Sequence, residues 1–394
     1  MRRWIRCLAV AAVGAFFVAP LQAQEGPILV GLDADLSSGS ARSGESIRRG
    51  AQLAMDEINA GGGVLGRKLE LVARDHRGNP ARGIDNIHDF AAMDSLVAVM
   101  GGLHTPVAMK ELKAIHQHRL PFLVPWAAGT PLVDNGFTPN YVFRVSVRDQ
   151  FAGGFLVKQA LNQGYQKIGL LLERTGWGRS NQKAMTSALQ SAGLEPALVE
   201  WFHWGDKDFQ PMLDNLKSAG VEAILLVANA PEGKQVVMSM AQRSAEQRLP
   251  ILSHWGITGG DFHQTVGDLL DQVDLQFLQT YSFLKPTESQ QSQRLISAYC
   301  DQYGCNSAAT PERAIFAPVG TAHAYDLIHL MAQALEQSGK VDRVVLQQAL
   351  QQLPAYQGLV RHYNPPFTEA RHDALTAEDF RMARYAKDGA IVPE

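Results

Sequence analysis

The residues best placed to do chemistry in this chain stand where apolar runs end. In "VMGGLHTPVAMKEL" a strand-like stretch reaches Gly101 and Gly102, and Thr105 and Pro106 then open an amphipathic helix. Proline suits a first helical turn because its missing N–H would be unpaired there, and a threonine just before it reads as the cap. The free N–H groups and positive helix end beside that hydroxyl suit an anion, a carboxylate above all. Residue type leaves two roles open for Thr105: cap alone, or cap and ligand contact. Trp126, Trp177 and Trp255 lie in or beside glycine-containing loops. Such tryptophans either pack a core or line a ligand site by stacking and cation–π contact; the loop setting favours lining for Trp177 and leaves both roles open for Trp126 and Trp255.

Catalytic patterns are missing. The chain has no G-x-S-x-G elbow, no G-x-x-x-x-G-K phosphate loop, no C-x-x-C and no H-E-x-x-H. His116 and His118, two apart on a helix, point to different sides, and His203, His254 and His263 stand on separate elements. No metal site, no cofactor and no enzyme are therefore expected. Asp33 and Asp35 share one face of the first strand end, and Asp35 could receive a ligand hydroxyl or ammonium, although a solvated loop is the plainer expectation. Cys300 and Cys305, in "YCDQYGC", suit a short-loop disulfide in an oxidising compartment, with two unpaired thiols as the alternative.

The compartment follows from the first residues. "MRRWIRCLAVAAVGAFFVAPLQAQ" has Arg2, Arg3 and Arg6, an apolar stretch from Cys7 to Ala19, and small residues up to Ala23. This is a secretory signal pattern with cleavage after Ala23, so a periplasmic location is expected. The apolar run is short for a membrane span. Cys7 lies too early to carry a lipid anchor at the cleavage point. Losing those three arginines takes the formal charge from −3 to −6. With no basic block left, nucleic acid and anionic lipid are poor partners. No later segment is long and apolar enough to span a membrane, and a monomer is expected.

The candidate residues need a scaffold that gathers loops, and the pattern supplies one. Strand-like "PILVGLDADL", "RKLELVARD", "SLVAVMGG" and "LPFLVPWAAG" alternate with amphipathic helices, and the scheme repeats after "YVFRVSVRDQ" with "KIGLLLERTGWG", "PALVEWFHWG", "VEAILLVANAP" and "LPILSHWGITGG". Strands alternating with helices imply an α/β fold of parallel βαβ units, here two doubly wound sheets. Ligands of such sheets bind beyond the carboxyl ends of the strands. No flexible linker separates the halves, so the chain is expected to cross between lobes more than once.

In order, "GLDADLSSGSARSGESIRRGAQLAMDEINAGGGVLGRKLELVARDHRGNP", "VMGGLHTPVA", "PFLVPWAAGTP" and "LLLERTGWGRSN" resemble the exported solute-binding proteins of the leucine/isoleucine/valine-binding family. The likeness runs through nearly the whole mature chain. It implies two Rossmann-like lobes joined by three crossover segments, the type I periplasmic binding fold. The expected division is signal 1–23, lobe I 27–145 with 278–354, and lobe II 146–277 with 355–394, crossing near Val145, Phe277 and Tyr356. It also implies a small-molecule ligand, an amino acid or related compound, clamped by lobe closure and delivered to the permease and ATPase of a membrane importer. A ligand-sensing subunit of a receptor system is the alternative that the same fold allows.

Carried over residue by residue, the likeness gives Thr105 the ligand carboxylate and places Trp126 and Ala128 in the adjoining loop, with Thr130 one residue later than expected. Trp177 takes the place of the aromatic cover, and Asn229 stands where a second aromatic is common. The acid that pairs a ligand ammonium belongs in the loop "SHWGIT", where this chain has His254 and Trp255, and the nearest acid is Asp261. A desolvated ammonium needs charge or good acceptors. This departure therefore predicts weak binding of leucine, isoleucine and valine and better binding of an aromatic, amide-bearing or quaternary-ammonium compound.

Overall fold

The computed structural model describes residues 26–284, 289–305 and 310–394. The signal segment and Cys7 lie outside them. The first apolar runs form β1 (Ile28–Ala34), β2 (Leu69–Asp75), β3 (Leu96–Met100), β4 (Phe122–Val124) and β5 (Val142–Arg144), all parallel in the order β2-β1-β3-β4-β5. Between them run α1 (Ala41–Ala60), α2 (Pro80–Ala91) and α3 (Thr105–Gln117). Strands β1, β3 and β4 are buried almost throughout, as parallel strands covered on both faces must be.

After β5 the chain enters the second lobe through α4 (Asp149–Asn162). There β6 (Ile168–Glu173), β7 (Leu198–Phe202), β8 (Ala223–Val227), β9 (Ile251–Ser253) and β10 (Leu275–Gln279) alternate with α5 (Gly176–Ser191), α6 (Gln210–Ser218), α7 (Ala230–Ala241) and the short α8 (Phe262–Val266). The five strands pair in parallel in the order β10-β9-β8-β6-β7. The chain then returns to lobe I with α9 (Gln290–Tyr303), α10 (Pro318–Ser338) and α11 (Arg343–Leu350). Helix α10 is buried on nearly every side, and α1 packs so close to it that a Cβ on Gly50 would stand 2.1 Å from the Thr321 carbonyl oxygen. That contact requires glycine. Cys300 and Cys305, at the end of α9, are joined as a disulfide with Cα atoms 4.9 Å apart.

The last part of the chain departs from the expected division. The hairpin β11 (Tyr356–Gln357) with β12 (His362–Tyr363) is held to lobe I, because Asp326 on α10 accepts from Leu359 N, Val360 N and the Tyr363 hydroxyl. Farther on, Arg144 N donates to His372 O and Ala374 N to Arg144 O, beside the edge of the first sheet. The chain reaches lobe II only at β13 (Arg381–Tyr385) and β14 (Ile391–Pro393), which add antiparallel strands next to β10. Tyr356 is therefore no crossing point, and Phe277 lies inside β10, paired with Ser253 and Ala383. The crossings fall at residues 145–148, after Gln279, and between Ala374 and Arg381.

Candidate functional site

The loops that hold the candidate residues leave the carboxyl ends of β3, β4, β6, β8 and β9, and both lobes bring them to one pocket. Thr105, Trp126 and Ala128 line it from lobe I; Trp177, Asn229 and Trp255 line it from lobe II. His254 does not line it. Leu103, His104, Pro106 and Ala127 complete the wall. The lobes lie against each other: Ser43 Oγ donates to Gly259 O at 3.0 Å, Thr130 N to Ser180 Oγ at 3.2 Å, and the Trp126 and Trp255 rings are 5.6 Å apart. The free space is about 10 Å³, room for one water at most. A solute can enter only when the lobes part or a tryptophan turns.

On the lobe I wall, Thr105 has a different role from the cap expected of it. It is the first residue of α3 and Pro106 the second, while His104 occupies the cap position without a side-chain cap bond. The Thr105 side chain points away from its own helix and accepts from Gly129 N at 3.1 Å, tying α3 to the loop after β4. Its hydroxyl proton remains to donate. Three buried side chains fix that loop. Arg144, fully buried, bonds Ala127 O and Gly129 O and pairs with Asp373 at 2.5 Å. Ser146 Oγ donates to Trp126 O, and His323 on α10 bonds Pro125 O.

The lobe II wall is aromatic and is braced by buried acids. Thr175 caps α5, accepting from Trp177 N and Gly178 N. Gly176 comes close enough to Met109 of α3 that a Cβ there would stand 2.9 Å from its sulfur, and one on Gly178 would overlap Glu173 O. The two glycines of "GWG" thus let Trp177 stand between the lobes. Its Nε1 donates to Asp149 Oδ1 at 3.1 Å, and its ring meets His254 edge-on at 4.9 Å. His254 Nδ1 accepts from Trp255 N, which leaves the ring proton on Nε2, 3.4 Å from the same Asp149 oxygen. Asp149 and His254 stand together behind the Trp177 indole, off the pocket surface.

The acid question is answered here. Asp261 is half exposed, pairs with Lys234, and lies away from the pocket. Asp149, which sequence reasoning did not single out, holds the Trp177 indole from behind and is covered by that indole and the His254 imidazole. Among the described residues no Asp or Glu side chain lines the pocket.

Two more acids organise the rim. Glu173, at the end of β6 and fully buried, accepts from Thr175 Oγ1 at 2.6 Å, Trp204 Nε1 at 3.0 Å and Asn229 Nδ2 at 3.0 Å. Burial pushes its carboxyl up to about 7 against those hydrogen bonds. Asp35 is no solvated loop residue. It is buried and gathers Ser38 N, Ser38 Oγ and Ser40 N around its carboxylate. Burial opposes its ionisation, yet those bonds and His104, at 3.6 Å, hold it well below the usual range. Asp33 is buried in the lobe I core with Asn86 and Glu111. No group of three or more His, Cys, Asp or Glu side chains suited to a metal occurs among the described residues.

A sequence profile for the periplasmic binding protein family matches residues 27–390. A Leu/Ile/Val-binding protein, BraC3, of Rhizobium johnstonii is 27% identical over 191 residues, 48% of this chain and about half, 51%, of that relative. Among solved structures, a periplasmic binding protein type 1 from Bordetella pertussis superposes with a TM-score of 0.83 at 20% identity, covering 93% of this chain and 99% of the other. A solute-binding protein of an ABC transporter from R. palustris, in complex with 4-hydroxybenzoate, superposes with a TM-score of 0.77 at 18% identity over 93% and 95%.

Proposed function

We propose, for a chain that belongs to the periplasmic binding protein family, that its cleft captures a small carboxylate with a flat apolar body and no α-ammonium. The loaded protein then presents this solute to the permease and ATPase of an importer, from the periplasm to which the N-terminal signal directs it. Nothing in the cleft calls for catalysis, and binding is its role. The observation that carries this reading is the division of labour in the pocket. One wall offers the Thr105 hydroxyl and the start of α3, and the other offers tryptophan faces with no carboxylate among the described lining residues. A carboxylate at a helix start gains hydrogen bonds and a favourable dipole. An ammonium opposite it would be desolvated against indole, because Asp149 stands behind Trp177 and His254 and not in the pocket lining. The 4-hydroxybenzoate complex of the R. palustris protein shows that a protein of this fold can hold an aromatic acid.

Calorimetric titration of the purified mature chain with benzoate, 4-hydroxybenzoate, leucine, isoleucine and valine tests this directly. An aromatic acid should bind at least tenfold tighter than any of the three amino acids, roughly the discrimination that one unpaired buried polar group imposes. Tight binding of an aliphatic amino acid would overturn it.

A further inference from the structure

Asn229 sits at the cap position of α7, where an asparagine ordinarily spends its Oδ1 on the first helical N–H groups. Here it makes no side-chain cap bond. Its Nδ2 is drawn instead to Glu173 Oε2 at 3.0 Å, and its Oδ1 takes no hydrogen bond from any described group. Glu173 leaves no choice in the matter while it is ionised. A carboxylate only accepts, so the amide must turn its nitrogen inward. The hydroxyl of Thr175 and the indole N–H of Trp204 fill other sites on the same carboxylate, which pins it in place. Asn229 lines the pocket, so its carbonyl oxygen is the side-chain acceptor lobe II offers to a solute. The indole nitrogens of Trp177 and Trp255 on that wall can only donate, and that of Trp177 is already committed to Asp149.

We infer that Glu173 is a positioning residue that fixes the Asn229 amide with its oxygen toward the pocket. The cleft then selects carboxylates whose body carries a hydrogen-bond donor, a hydroxyl or amino group, directed at lobe II. This rests on the reading of the cleft as an aromatic-carboxylate site and adds its second specificity point. The arrangement is reversible. When Glu173 is protonated it can donate to Asn229 Oδ1, and the amide can turn over to present Nδ2, which removes the preference for an amino donor, whereas a hydroxyl can then accept instead. Burial places that proton near neutrality, and Glu232 on α7 is the charged neighbour that raises it further.

The test uses the whole mature protein and six probes: benzoate, 4-fluorobenzoate, 3- and 4-hydroxybenzoate, and 3- and 4-aminobenzoate. At pH 8 the wild type should bind its best hydroxy or amino acid about tenfold tighter than benzoate and 4-fluorobenzoate, the worth of a hydrogen bond to an otherwise unpaired acceptor. At pH 6 the ratio for the aminobenzoates should fall toward one, while a hydroxybenzoate keeps part of its advantage by accepting from Nδ2. Glu173→Gln should bring the aminobenzoate ratio to within about twofold at both pH values, because a glutamine can donate to Oδ1 as well as accept. Asn229→Leu should keep benzoate binding and lose the preference, and it carries the test if the Glu173 variant fails to fold. An aminobenzoate preference that survives in Glu173→Gln, or that does not change with pH in the wild type, overturns the inference. If no probe binds while an aliphatic amino acid does, the underlying ligand class falls and the inference with it. If benzoate binds as well as the donors in the wild type, only the inference falls.

Discussion

The two walls of the cleft are built by different means. Lobe I presents backbone and a hydroxyl: the start of α3 and the 126–128 loop, clamped by Arg144, Ser146 and His323. Lobe II presents side-chain faces, Trp177, Trp255 and the Asn229 amide, each steered by a group behind it. A wall of the first kind is stiff because its polar groups belong to the fold's own hydrogen-bond network. A wall of the second kind can change with a rotamer or a proton. Under the proposed function, lobe I sets what kind of head group is held, whereas lobe II sets which body is accepted.

Breaking the lobe I frame should have the largest effect of all. Arg144→Met strands Asp373 with Arg148 alone and releases Ala127 O and Gly129 O. Removing one member of a buried ion pair costs about 3–5 kcal/mol. The denaturant midpoint should fall accordingly, and loss of binding should accompany loss of fold. If Arg144→Met were as stable as the wild type, the idea of a rigid first wall would be wrong.

Trp177→Ala comes next and strikes the other wall. Deleting a central, buried aromatic from a binding site costs at least about 2 kcal/mol, roughly thirtyfold in Kd. Asp149→Asn, which keeps the ring but loosens its anchor, should cost only a fewfold. Calorimetry with 4-hydroxybenzoate separates the two, and equal losses would mean that Asp149 rather than the indole face carries the binding.

Thr105→Ala should weaken binding more than it destabilises. The lost hydrogen bond to a charged ligand group costs about 1.5–3 kcal/mol, against about 1 kcal/mol for the neutral bond from Gly129 N. Thr105→Ser should restore most of the affinity. A melting point that drops with unchanged Kd would reduce Thr105 to a structural strut.

The same contrast explains what could be read before the fold was known. Strand ends followed by Gly, Thr-Pro or Gly-Trp-Gly are local signals, and six of the seven residues read from them meet in the pocket. His254 failed because a strand-end loop has an inner and an outer side, and the turn that puts Trp255 in the wall puts His254 behind it. Asp149, Glu173 and the Arg144–Asp373 pair had no local signature. Their partners lie 28, 56 and 229 residues away, and a lone buried acid in a sequence looks like any other acid. The return of 356–374 to lobe I was hidden for the same reason, since its anchors are Asp326 and Arg144.

The smallest effect concerns a buried acid that serves the fold rather than the cleft, and it separates the two kinds of acid. Glu111 is on α3, the helix whose start holds Thr105, and it is fully buried beside Asp33 of β1. Burial, with the adjacent Asp33 charge, raises the Glu111 carboxyl well above its ordinary range, and burial raises Asp33 too. A group whose pKa is higher in the folded state holds a proton that the unfolded chain has released. Its contribution is complete below the unfolded value, and it is lost as pH rises through the folded one. Wild-type stability should therefore fall as pH climbs from about 5 into the alkaline range. Glu173 and Asp326, with raised values of about 7 and about 6, push in the same direction, so one substitution removes only part of the slope. Glu111→Gln should match the wild type near pH 5 and gain on it steadily as pH rises, while the preference among benzoates keeps its wild-type pH dependence. Denaturant melts at several pH values, paired with the titrations, read both. Parallel stability curves for the two proteins would show that Asp33 and Glu111 do not hold a proton between them in the folded lobe.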